Sequence, residues 1–121
     1  ADDFTYLYDM ADPDKIYNQK IKFYCRNFIF TSGAGDVRLF TAACSSTYPV
    51  KKVDVVSTVG AGDNFNAGVI YGILKNDIRR SDLDKLSEAD WDKIIASGIA
   101  FGGNVCTSLD NYISKEFAAS L

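Results

Sequence analysis

Gly-Ala-Gly-Asp occurs twice in these 121 residues, at Gly33-Ala34-Gly35-Asp36 and at Gly60-Ala61-Gly62-Asp63. The first copy lies between two short apolar segments and reads chiefly as a turn. The second follows a β-branched run and opens a helix pattern, so free backbone N–H groups and a positive helix end converge on one spot. Glycine is required where phosphate oxygens must come close to the backbone, because a Cβ would block them. Such a loop is an anion hole for charge developing on a transferred phosphoryl group. Asp63, in the first turn, then supplies a carboxylate able to take the proton of an attacking hydroxyl. The same four letters also suit a plain strand-to-helix turn with an Asp cap.

Other glycine-loop chemistries fit less well. Gly60-x-Gly62-x-x-Phe65 lacks the third glycine of a dinucleotide fingerprint, and no Gly-Lys-Ser/Thr follows either loop as a Walker A would need. The chain has no His, and Cys25, Cys44 and Cys106 are scattered, which excludes a common zinc pattern and any His base. These cysteines read as buried structural thiols and the chain as cytoplasmic. A formal charge of −3 without a basic face argues against nucleic acid, and no apolar run reaches the roughly 20 residues that span a bilayer. The start, without Met inside an acidic helix opening, suggests a fragment or a processed chain.

The elements that must position the loop follow from periodicity. Residues 2 to 27 read as helix broken near Asp12-Pro13. Residues 27–31 and 37–41 read as strands joined by the 32–36 turn, and Val53 to Val56 as a further strand. Gly60 to Leu74 reads as a helix with an apolar stripe of Phe65, Val69, Ile70, Ile73 and Leu74. On that helix Gly68 and Gly72, four apart, call for close packing against a neighbour. Residues 76–86 read as a charged surface loop. Ser87 to Asp90 reads as a capped helix start, leading through Trp91, Ile94, Ile95, Ile99 and Val105 to about Asn104. A short amphipathic helix through Tyr112, Ile113 and Phe117 closes the chain. Alternating strands and helices make the class α/β, with several strands expected to be parallel.

The longer string Val53 to Gly68 resembles the C-terminal signature of PfkB (ribokinase-type) carbohydrate kinases, roughly D-T-x-G-A-G-D-x-F. Thr58, Gly60, Ala61, Gly62, Asp63 and Phe65 match it, as do Asn66-Ala67-Gly68. Phe28 to Gly33 is similar to the family's strand ending in T-x-G, and the resemblance runs from about Lys20 onward. It implies a Rossmann-like, ribokinase-type three-layer sandwich, of which residues 1–121 form the C-terminal, nucleotide-binding portion. It also implies transfer of the ATP γ-phosphate to a sugar hydroxyl with Mg²⁺. In that picture Asp63 is the base, Gly60, Ala61 and Gly62 form the anion hole, and Thr31, Gly33, Thr58 and Gly62 border the nucleotide. The sugar-binding half is expected to lie outside this chain, so the chain alone is expected to be inactive; a homodimer is left open.

Three departures accompany the resemblance. Ser57 replaces the signature's first Asp, which puts a K⁺ site in question. Asp36 replaces the last glycine of T-x-G-x-x-G, and Leu109-Asp110 stands where the family usually has glycine-alanine. They motivate an alternative reading, a non-catalytic nucleotide-binding or interaction module derived from such a kinase.

Overall fold

The structure, a computed structural model, describes residues 2–121. The chain divides into two compact units, Ala1–Val50 and Lys51–Leu121.

The first unit opens with two helices, α1 (Asp2–Tyr8) and α2 (Pro13–Ile16), the second running on into a wider π turn over Tyr17–Ile21. The break falls at Asp12-Pro13 as expected. The Asp12 carboxylate accepts from the N–H groups of Asp14 and Lys15, and Pro13 takes the first turn, where its missing N–H costs nothing. Three strands follow: β1 (Phe28–Phe30), β2 (Val37–Phe40) and β3 (Ser45–Tyr48). They form one sheet in the order β1-β2-β3, antiparallel throughout. The predicted hairpin is therefore present, but the expectation of parallel strands is not met within this sheet. The links 31–36 and 41–44 are far shorter than the dozen or so residues a parallel crossover needs. On one face Phe28 pairs across with Phe40, and Tyr17 stacks on Phe40 at 4.7 Å. Phe4 of α1 closes on Phe28 and Phe30 at 5.6 and 5.8 Å. Ile16, Val37 and Leu39 are buried as well.

In the second unit, residues 51–55 are irregular and Val53, Val55 and Val56 are exposed, so the strand expected over Val53–Val56 is absent. A β-branched run becomes a strand only beside a partner. Here the Val56 N–H donates to the Cys106 carbonyl at 2.8 Å instead. Helix α3 (Ala61–Lys75) follows, then a 3₁₀ turn (Arg80–Lys85) within the exposed charged connection, α4 (Glu88–Val105) and a short α5 (Lys115–Ala119). Trp91, Ile94, Ile95, Phe101 and Val105 of α4 are buried with Phe65 of α3.

The face by which α3 meets α4 takes in only part of the expected apolar stripe, Phe65 and Val69, together with the glycines. Gly68 and Gly72 are buried, whereas Ile70 and Leu74 are 57% and 72% exposed. A Cβ on Gly68 would stand 2.5 Å from the Ser97 carbonyl oxygen and 2.8 Å from the Gly98 Cα. One on Gly98 would stand 2.9 Å from both the Phe65 ring and a Val69 methyl. The two backbones approach so closely that only glycine fits, which bears out the expected role of the Gly68/Gly72 pair.

The start of α4 is as expected. The Ser87 hydroxyl accepts from the Asp90 N–H, and the Asp90 carboxylate accepts from the Ser87 N–H and hydroxyl. These bonds hold the Asp90 carboxyl below its ordinary 3.8, the Ser87 side chain contributing most. A depressed carboxyl pKa stabilises the fold above the unfolded value, and that contribution is lost as pH falls through the folded one. Ser87→Ala, which removes the cap acceptor and the main partner of Asp90, is therefore expected to lower stability near neutral pH. Its deficit relative to the parent should shrink as pH falls below 3.8, as read by urea denaturation across that range.

The cysteines depart modestly from expectation: all three are free thiols, but half-buried rather than buried. The Cys25 thiol donates to the Asn27 carbonyl at 2.8 Å, and Cys44 sits 3.3 Å from the Thr41 hydroxyl. Among the described residues no helix is long and apolar enough to cross a membrane.

Candidate active site

The second glycine loop is built from inside the 51–121 unit. Its approach is fixed by the end of α4, where the Cys106 carbonyl accepts from the N–H groups of Val56 and Ser57 at 2.8 and 3.3 Å. The Ser57 hydroxyl then accepts from the Val59 N–H at 3.2 Å, tightening the turn. Gly60 takes φ +76°, a left-handed conformation that side chains resist, and stands at the N-cap of α3.

With glycine at the N-cap, no side chain satisfies the first turn. The Ala61 N–H donates to the Thr58 carbonyl at 3.2 Å and the Asn64 N–H to the Gly60 carbonyl at 2.9 Å. That leaves the N–H groups of Gly62 and Asp63, which have no protein acceptor among the described residues. Both residues are exposed, and a Cβ on Gly62 would meet nothing within 4 Å. Two adjacent donors at the positive end of a 15-residue helix face solvent, and an anion can reach them. Asp63 adds an exposed carboxylate that makes no hydrogen bond or ion pair among the described residues. It has no structural partner to hold, which distinguishes it from the cap at Asp12 and from Asp90.

The structure thus brings Thr58, Gly60, Ala61, Gly62 and Asp63 together in one loop. Thr31 and Gly33 belong to the other compact unit, at the end of β1. Thr31 is half-buried there, and Gly33 has φ +52° in a turn closed by the Gly35 N–H on the Ser32 carbonyl at 2.7 Å.

Sequence reasoning gave no role to two asparagines that shape the loop. Asn64 donates its side-chain amide to the Gly60 carbonyl at 3.0 Å and to the Asn111 carbonyl at 3.4 Å. The Asn111 side chain fills the space beside Gly60, its Oδ1 only 1.5 Å from where a Cβ there would be. Gly60 is thus required twice over, by its φ and by Asn111. Asn64 is adjacent to the motif and open to notice, but nothing local in the sequence marks Asn111.

A model of the pfkB family carbohydrate kinases matches residues 4–116. The chain belongs to this family. Solved structures agree. Aminoimidazole riboside kinase from Salmonella enterica is 27% identical with a TM-score of 0.72, over 89% of this chain and 34% of its own length. Fructokinase from Vibrio cholerae O395, solved with fructose, ADP and calcium ion, is 17% identical with a TM-score of 0.76, over 98% of this chain and 38% of its own. Ribokinase from Thermotoga maritima is 19% identical with a TM-score of 0.68, over 97% and 37%. No curated protein matches the chain. The fold is thus the ribokinase type, as the sequence led us to expect, and this pfkB-family chain spans a little over a third of the length of the kinases it matches.

Proposed function

We propose that this chain supplies the phosphate-binding loop and general base of an ATP-dependent carbohydrate kinase. The observation that carries the reading is the pair of unclaimed N–H groups at Gly62 and Asp63, beside a carboxylate with no structural partner. In this reading those N–H groups donate to oxygens of the γ-phosphoryl group as negative charge spreads over them. The Asp63 carboxylate accepts the proton of a sugar hydroxyl while that oxygen bonds to phosphorus. The bond from phosphorus to the bridging oxygen breaks, and ADP departs. Thr58 borders the loop, and Thr31 and Gly33 are proposed as nucleotide-binding residues on their resemblance to the family's T-x-G strand end.

Mg²⁺ fits this arrangement as an ion carried mainly by the phosphates of ATP, whose charge it neutralises. Asp63 is the only carboxylate in the loop, and among the described residues no three acidic or thiol groups converge to hold a metal unaided. A K⁺ site built on a carboxylate at position 57 does not fit. Ser57 brings no charge, and its hydroxyl already accepts from the Val59 N–H.

Calorimetry with ATP and Mg²⁺ on the full-length gene product, followed by sugar-dependent ADP release, tests the assignment. Binding with turnover supports it; binding without phosphorylation of any sugar or nucleoside supports the non-catalytic module; no nucleotide binding sinks both. The 121 residues by themselves are expected to release no ADP above background with any of a panel of sugars. Orienting an acceptor supplies on the order of 7–11 kcal/mol of barrier reduction, and no acceptor pocket is assigned to this chain.

A further inference from the structure

The connection between α4 and α5 runs from Cys106 to Ser114, and it is tied down at both ends by one residue. The Thr107 hydroxyl donates to the Asn104 carbonyl at 2.7 Å, and the Ser114 N–H donates to the Asn104 side-chain oxygen at 2.9 Å. Between these anchors the Ser108 hydroxyl accepts from the Asp110 N–H at 3.1 Å. The segment so held delivers Asn111 to Gly60. There its side chain takes up the room left by the missing Cβ, and its carbonyl accepts from Asn64, the residue that also grips the Gly60 carbonyl. The loop that opens α3 is thereby buttressed at Gly60 by a residue 47 positions beyond Asn64.

We propose that Asn111 is a positioning residue for phosphoryl transfer. By occupying the space beside Gly60 it holds the left-handed turn, and so keeps the Gly62 and Asp63 N–H groups and the Asp63 carboxylate aimed at one point. The inference rests on the reading of that loop as the phosphoryl-transfer site. A glycine in the left-handed region has open alternatives on both sides of φ = 0. The neighbour filling the adjacent volume adds to the hydrogen bonds of Ser57, Thr58 and Asn64 in selecting this one. Misplacement of a reacting group by about 1 Å costs on the order of a hundredfold in rate, so a loosened turn registers in kcat before it registers in stability.

The test uses the full-length kinase and three variants, each assayed for kcat, for KM toward ATP and the sugar, and for the urea midpoint. Asn111→Ala is expected to lower kcat between about tenfold and a hundredfold, with the sugar KM and the urea midpoint little changed. Asn111→Asp keeps the shape and so guards against a folding failure. It adds a negative charge beside the loop, and is expected to raise the KM for ATP several-fold, less so at high salt. If both variants keep kcat and KM within about twofold of the parent while Asp63→Asn abolishes turnover, Asn111 only fills space and the proposal fails. If Asp63→Asn itself turns over normally, the phosphoryl-transfer reading falls, and this one with it.

Discussion

Asparagine in place of Asp63 is expected to lower kcat about a thousandfold, in the middle of the range a general base contributes, while ATP still binds. The amide keeps the size of the side chain and the first helical turn but cannot take a proton from an attacking hydroxyl. The carboxylate is exposed and makes no ion pair or hydrogen bond among the described residues, so its loss leaves no partner stranded. Stability in urea should therefore hardly move. Steady-state ADP release and calorimetric ATP binding, measured on the same full-length preparation, separate the two effects. Loss of turnover with binding retained fits a base. Loss of both would make Asp63 part of the nucleotide site, and loss of neither would end the assignment.

The largest stability effect is expected at a glycine. Gly68→Ala should destabilise the 121-residue chain by about 1–3 kcal/mol, the usual range for overpacking a filled interior. The new methyl meets the Ser97 carbonyl oxygen, the Gly98 Cα and the Phe101 Cβ at 2.5, 2.8 and 2.9 Å, and two of these are backbone atoms with no rotamer to yield. Gly103→Ala is the matched control, a helical glycine whose Cβ would meet nothing within 4 Å. There the gain in helix propensity, up to about 1 kcal/mol, should appear unopposed. Opposite shifts of the urea midpoint are the expected outcome. If the two variants moved together, propensity rather than contact between α3 and α4 would govern Gly68.

What the sequence made legible here was local. The breaks and caps at Asp12-Pro13, Gly60 and Ser87 each depend on a few neighbouring residues, and those helices begin where the residues place them; the closing helix, expected to include Tyr112 and Ile113, starts only after the Ser114 cap. The glycine loop was legible for the same reason. What escaped depends on partners distant along the chain. Ser45–Tyr48 is polar and half exposed, yet forms β3 because β2 offers it an edge. Val53–Val56 is rich in strand formers, yet no strand lies beside it. Ile70 and Leu74 looked like core, but the helix buries its glycines because backbone contact with α4 excludes side chains. Asn111 reaches the loop through a fold that no window of sequence displays.

The contact between α3 and α4 through Gly68, Gly72 and Gly98 also bears on motion. Packed helices usually shear by letting interleaved side chains switch rotamers. Here backbone approaches backbone at Gly68 and Gly72, and at Gly98 the Phe65 ring and a Val69 methyl pack directly against the main chain, so sliding one helix along the other would drive them into it. Such close contacts leave the pair little room to slide. Cys106 at the end of α4 grips the approach to the glycine loop, so Asp63 travels with the pair. Were Asp63 the base proposed above, an acceptor would have to approach a carboxylate fixed to this helix pair rather than one carried on a loose loop.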